Sequence, residues 1–190
     1  MKRLFLAIPI QTENNGFVPL LNSLSRTLAH EKRMNWTRPS NIHLTLKFIG
    51  ETPPQDEPKI IEAVTEVLEN HHSFTMDFNR TGIFGSRYAP RVLWLGMQQT
   101  PDELLNLEND VLNAFDKIGY QRDRQNFVPH ITLARIKDLC EKQYFQKVVQ
   151  AIEQKSYIQQ EVKEIILFQS ILLREGAVYK IMKKWSLKTL

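Results

Sequence analysis

Residues 41–50 read NIHLTLKFIG, and residues 127–136 read FVPHITLARI. Their shared cores are His43-Leu44-Thr45-Leu46 and His130-Ile131-Thr132-Leu133. Apolar and polar residues that alternate over this length predict half-buried strands. Side chains on a strand point to opposite faces in turn. His43, Thr45 and Lys47 are therefore expected on one face, with Leu44, Leu46 and Phe48 behind them under helices. In the second copy His130 and Thr132 share a face, and Ile131 and Leu133 lie behind. Each motif reads as a polar pair projected from a strand with an apolar back.

The pattern continues outward from these two strands. Further strands are expected at 3–9, 73–79, 91–97 and 161–169, with two more around the REG turn near the end of the chain. Apolar residues at helical spacing predict helices over 16–30, 56–70, 100–115 and 138–154. Thr100 is the expected N-cap of the third helix, with Pro101 in its first turn. The stretch TGIFGSRYAP, residues 81–90, is expected as a loop or short hairpin. Strand–helix–strand–helix–strand thus occurs twice. Arg3 of RLFLAI and Arg91 of RVLWLGM stand 88 residues apart, and the two motif histidines stand 87 apart. The matched offsets predict a single domain over 1–190 built by internal duplication, roughly 1–90 and 91–190, in which each half supplies one histidine.

Bulk properties narrow the class. With 190 residues, 42% hydrophobic and 24% charged, the chain reads as globular. Its net charge of +4 fits an anionic partner such as nucleic acid or a phosphorylated small molecule, without establishing one. Cys140 is the only cysteine. That excludes an intrachain disulfide and a cysteine-based zinc site, and it suits a reducing cytoplasm. The opening MKRLFLAIPI has the charge and greasiness of a signal peptide, but its apolar run is short, contains Pro9 and meets no small-residue cleavage site. A first strand is expected there. No stretch approaches the roughly 18 apolar residues of a membrane span.

Two such strands facing each other would gather two imidazoles and two hydroxyls around one cleft. Imidazole titrates near neutrality, so one ring can start as base and the other as acid. Hydroxyls donate to phosphate oxygens without carrying charge. Such a set is enough to cleave or form a phosphodiester when a ribose hydroxyl is the leaving group or nucleophile. A lone strand histidine is usually structural, but the repeated spacing argues otherwise here. A metal site wants a third and usually a fourth ligand. His71-His72 is the other histidine cluster, and it is expected as a solvated helix end, as is His30. No serine carries a nucleophile-elbow glycine pattern, and neither a P-loop nor a dinucleotide fingerprint is present.

The chain resembles the two-histidine phosphoesterase superfamily and, within it, the RNA 2′,3′-cyclic phosphodiesterases, also called 2′-5′ RNA ligases. RLFLAIPI at the start, Trp36 before NIHLTLKFIGE, FGSRYAPRVLWLGM, FVPHITLARI and a closing strand hairpin carry the likeness over nearly the whole chain. The resemblance implies a bilobal α+β fold, with antiparallel sheets around a central cleft and helices outside. It implies hydrolysis of a 2′,3′-cyclic phosphate, on RNA or a cyclic nucleotide, to a 2′-phosphomonoester by a cytoplasmic monomer without metal or other cofactor. His43 takes the proton donor's position and His130 the acceptor's. Thr45 and Thr132 take phosphate-contacting positions. Arg135 matches a recurrent arginine, but strict alternation puts it on the rear face, so a bulge or strand end is required. Arg122 and Arg124 precede the second motif and are candidates for an RNA backbone, as Phe48, Phe84 and Phe127 are for a base; ordinary solvated or core roles compete for each. Three rival readings stay open: ligation by the same groups in reverse, a relative acting on another cyclic or 2′-5′-linked nucleotide, and an RNA-binding module without turnover.

Overall fold

The computed structural model describes residues 1–122, 126–174 and 176–189. In chain order the elements are β1 (Lys2–Pro9), α1 (Phe17–Thr27), β2 (Met34–Trp36), β3 (His43–Thr52), α2 (Glu57–Leu68), β4 (Phe74–Phe78), β5 (Arg80–Ser86), β6 (Ala89–Gly96), α3 (Asp102–Lys117), β7 (His130–Ile136), α4 (Lys142–Gln150), β8 (Ile158–Val162), β9 (Glu164–Leu173) and β10 (Gly176–Ser186). The strands form two four-stranded sheets, ordered β10-β9-β1-β3 and β2-β7-β6-β5, and a two-stranded ribbon of β4 with β8. Every pairing between these strands is antiparallel. The fold is α+β.

Burial explains the layers. β1 is buried from Leu4 through Ile8. Leu4, Leu6 and Ile8 join the main core, whereas Phe5 turns the other way and packs on His43. α1 buries Phe17, Leu20, Leu21 and Leu24, and α3 buries Leu104, Leu107, Val111 and Phe115. Both sets follow the three-and-four spacing of one helix face. α3 begins at Asp102 behind Pro101, with no side-chain cap, so the expected capping role of Thr100 is not realised. Asp102 and Glu103 meet the helix dipole there instead.

TGIFGSRYAP takes the hairpin form of its expectation: it holds most of β5, the turn and the first residues of β6, and in the turn Ser86 Oγ accepts the Tyr88 and Ala89 N–H groups. Gly82 on β5 is required by a close approach: a Cβ there would lie 2.2 Å from the Trp94 indole of β6. The expected strand at 161–169 is two strands, β8 and β9, which separate at Lys163. The short β2 has no counterpart in the sequence pattern.

The two sheets do not follow the two halves of the chain. β5, from the first half, pairs with β6, and β9, from the second half, pairs with β1. A cut near residue 90 would leave neither sheet whole. The orders β9-β1-β3 and β5-β6-β7 nevertheless match strand for strand, with β1 and β6 central and the histidine strands β3 and β7 beside them. Among the described residues no helix is long and apolar enough to cross a membrane.

Candidate active site

The strands that carry the two motifs share an irregularity. Along β1 and β3, Ala7 faces Thr45 and Leu6 faces Lys47, so Leu46 has no partner. Along β6 and β7, Trp94 faces Thr132 and Leu93 faces Ala134, so Leu133 has none. Each strand therefore bulges three residues after its histidine. A bulge puts two residues of one strand against one of the other and resets the alternation beyond it. Leu46 and Lys47 are both buried, as are Leu133 and Ala134. The next residues, Phe48 and Arg135, come back to the histidine face.

This geometry corrects two expectations and meets a third. Lys47 does not share a face with His43; it is 3% exposed, and its ammonium donates to the Gln121 carbonyl at 2.9 Å. Phe48 is not core but 51% exposed on the rim of the cleft. Arg135 comes forward through the bulge that its position demanded. His43, Thr45, His130, Thr132 and Arg135 all line one cavity of 420 Å³. Arg3, Thr37 and Tyr179 line it too, and sequence reasoning missed them. Arg3 was legible in principle, because it shares parity with Phe5 on β1. Thr37 and Tyr179 reach the cleft only through tertiary pairing.

Both imidazoles are held in the same way. His43 Nδ1–H donates to the Asn41 carbonyl at 2.7 Å, and His130 Nδ1–H donates to the Val128 carbonyl at 2.8 Å. In each case the acceptor lies two residues upstream. A carbonyl can only accept, so the neutral rings carry hydrogen on Nδ1, and Nε2 is the nitrogen left to exchange a proton. An aromatic ring stands edge-on to each imidazole: Tyr179 to His43 at 5.2 Å and Phe84 to His130 at 4.7 Å. Packing of this kind fixes ring orientation before substrate arrives.

Burial pushes both histidines below their ordinary range, and the carbonyl bonds oppose that push. The positive charge of Arg135 lowers both, and that of His130 further lowers His43. Desolvation disfavours the charged form, as does a nearby like charge. The protein's own groups thus favour neutral imidazoles. A bound phosphate anion acts in the opposite sense.

A second depression, of 500 Å³, adjoins the cleft and shares Thr45, Phe48 and His130 with it. Phe84, Phe127, Asn126 and Glu108 line much of its remainder. Burial raises the Glu108 carboxyl, against the charges of Arg122 and Lys47. Arg122 is tied to α3, with Nε on Asp116 Oδ2 at 2.5 Å and a bond to Asn113. Arg124 lies outside the described residues. The remaining histidines stand apart from the cleft. His71 is not a solvated helix end, since it pairs with Asp110 at 3.0 Å, and His30 lies 3.6 Å from Glu31. Among the described residues no three of His, Cys, Asp and Glu gather as a metal would need.

Two antiparallel sheets each present a carbonyl-anchored histidine and a threonine to one cleft, a set of groups able to exchange protons and to donate hydrogen bonds to an anion. The chain belongs to the 2′-5′ RNA ligase superfamily, whose family model matches residues 24–170. It is 31% identical to the RNA 2′,3′-cyclic phosphodiesterase of Archaeoglobus fulgidus over 179 residues, covering 94% of this chain and 96% of that protein. The enzyme of the same name from Thermotoga maritima is 31% identical over 147 residues, 77% of this chain and 76% of its own. Among solved structures, E. coli LigT complexed with 3′-AMP superposes with a TM-score of 0.73 at 26% identity, covering 98% of both chains. The protein TT0787 of Thermus thermophilus, at 23% identity and a TM-score of 0.77 over 98% of both chains, shows the same fold.

Proposed function

We propose that this chain is an RNA 2′,3′-cyclic phosphodiesterase that converts a cyclic phosphate end to a 2′-phosphomonoester by two-histidine acid–base catalysis. His130 Nε2 takes a proton from water, and the resulting hydroxide attacks phosphorus in line with O3′. The P–O3′ bond breaks, and His43 Nε2–H delivers a proton to O3′. The Thr45 and Thr132 hydroxyls donate to the non-bridging oxygens, and the Arg135 guanidinium offsets charge that builds on them. Each positioned proton transfer supplies roughly 10²–10⁴-fold. Because the protein's own groups favour neutral histidines, the anionic substrate itself raises His43 and loads the acid.

The observation that carries this reading is the paired anchoring of His43 and His130 through Nδ1 to carbonyls two residues upstream, in one cavity with both threonines. The names of the relatives support the substrate class. Phe48, Phe84 and Phe127 around the adjoining depression support seating the terminal base there. The lone exposed Cys140 suits a reducing cytoplasm. The matched strand orders β9-β1-β3 and β5-β6-β7 support an origin by duplication, with β2 and β5 of the first half and β9 and β10 of the second half lying in the sheet built around the other half's histidine strand.

The test is incubation with cyclic-phosphate-ended RNA and with 2′,3′-cyclic mononucleotides, with and without EDTA, followed by product analysis. A 2′-phosphomonoester formed equally well in EDTA is the expected result. A 3′-phosphate product, or no product from either substrate, would overturn the reading. Adding a 5′-hydroxyl RNA to the same mixture tests the reverse, ligating direction.

A further inference from the structure

The cleft has two ways out, and they differ in charge. The depression beyond Phe48 holds Glu108, and the cations near it are engaged: Lys47 with the Gln121 carbonyl and Arg122 with Asp116. On the other side the cavity runs over the first sheet toward the β9–β10 hairpin, past Arg3, Ser170, Leu172, Ala177 and Tyr179. A phosphodiester chain meets the Glu108 carboxyl group in one direction and, in the other, the Arg3 guanidinium, which lines the cavity itself beside its cross-strand partner Glu51.

The floor on the Arg3 side is aromatic and apolar. Phe5 of β1 pairs with Phe168 of β9, and Phe168 pairs with Ile181 of β10. Leu172 pairs with Ala177, and Ser170 with Tyr179. Directly paired residues share a face, so Phe168, Tyr179, Leu172 and Ile181 lie on the same face of the sheet as Phe5. Phe5 stacks on Phe168 at 5.2 Å and takes the Tyr179 edge at 5.0 Å. Yet the outer part of this floor is unprotected: Leu172 is 67% exposed and Ile181 49%. The hairpin is held in place, with Asn41 Nδ2 donating to the Ala177 carbonyl at 2.9 Å beside His43. An antiparallel sheet that offers aromatic and apolar faces next to an arginine has the chemistry that stacks single-stranded bases and contacts their phosphates.

We propose that this face of the first sheet, from Phe168 and Tyr179 out to Leu172, binds the one or two nucleotides that precede the cyclic-phosphate end of a single-stranded RNA, with Arg3 facing their phosphate. The inference rests on the hydrolase reading above and adds its direction: the terminal base lies toward Phe48, and the chain leaves over β9 and β10. It makes an RNA end, rather than a cyclic mononucleotide, the preferred substrate.

The experiment compares kcat/KM for a 2′,3′-cyclic mononucleotide with that for a trinucleotide ending in the same cyclic nucleotide, in wild type, Leu172→Asp and Arg3→Gln. Stacking and a phosphate contact should favour the trinucleotide by about tenfold or more in wild type. Leu172→Asp should bring that ratio to within about twofold of one, and Arg3→Gln should lower it and flatten its dependence on salt. Leu172 is exposed at a hairpin, and mononucleotide turnover by the same variant reports that the fold is intact. A wild-type ratio near one, with the mononucleotide turned over, would overturn the subsite and leave the hydrolase reading standing. A tenfold ratio that survives both substitutions would send the RNA out by another route and equally overturn it. Turnover of neither substrate by wild type would remove the hydrolase reading, and this inference with it.

Discussion

Phe48 and Arg135 occupy the same place in their strands, each five residues after its histidine and just beyond a bulge, and both face the cleft. Identical backbone devices thus present a ring on one side and a guanidinium on the other. If the ring binds a base and the guanidinium offsets developing charge, their losses should differ in kind. Arg135→Gln should lower kcat/KM about 10²-fold, mostly through kcat, as does removal of one electrostatic stabiliser. Phe48→Ala should act mainly on KM, by about tenfold. Steady-state kinetics on a cyclic-phosphate substrate separates the two; an Arg135→Gln effect confined to KM would contradict the assigned role.

The pH dependence follows from the histidine environment. His130 must be neutral to act as base, so activity falls at low pH. His43 must be protonated to act as acid, so activity also falls at high pH. Both rings titrate below the ordinary value of about 6.5, chiefly through burial, with Arg135 adding to the shift. The bell of kcat/KM, which reports the free enzyme, should therefore centre on the acid side of that value. Its limbs belong to the coupled pair rather than to either ring alone. The kcat bell should sit at higher pH, because a bound anion favours the charged rings. Arg135→Gln should move both kcat/KM limbs upward, and a profile that stayed in place would show that the guanidinium does not act on the rings.

Thr45→Ala and Thr132→Ala each remove one hydrogen bond and leave both proton transfers in place. Each should lower kcat/KM by about ten- to a hundredfold, less than either histidine substitution. A threonine variant as inactive as His43→Ala would mean that the hydroxyls do more than hold phosphate.

The histidines and threonines are legible in the sequence because a repeated tetrapeptide at matched spacing has few bland explanations. The bulges are legible in only one copy. In ITLARI the neighbouring apolar residues Leu133 and Ala134 break the alternation, which agrees with Arg135 changing face. In LTLKFI the charged Lys47 keeps the appearance of strict alternation, so local pattern puts Phe48 on the wrong side. Lys47 is tolerated inside because its ammonium reaches the Gln121 carbonyl, a partner 74 residues away. The placement of β5 beside β6 and of β9 beside β1 likewise depends on contacts that local pattern does not encode.

One prediction concerns the scaffold. Glu31 is 3% exposed, and its two carboxylate oxygens accept the Cys140 and Glu141 N–H groups, each at 2.7 Å, at the start of α4. Nothing in the local pattern around Glu31 marks this role, because its partners lie more than a hundred residues away. Glu31→Ala would leave both donors without their protein acceptor, and it should destabilise the fold by about 1–3 kcal/mol. Urea unfolding measures this directly, and a change below about 0.5 kcal/mol would mean that the carboxylate is dispensable there.

The proposed roles of His43 as acid and His130 as base are separated by the leaving group. In a 2′,3′-cyclic phosphate whose 3′ bridging oxygen is replaced by sulfur, the departing thiolate has little need of a proton. The measurement is the ratio of kcat/KM on the sulfur and oxygen substrates for wild type, His43→Ala and His130→Ala. Sulfur should restore much of the activity lost in His43→Ala and little of that lost in His130→Ala, which still lacks a base for water. Rescue of His130→Ala instead would exchange the two roles, and rescue of neither would show that the histidines act by binding phosphate and not by moving protons.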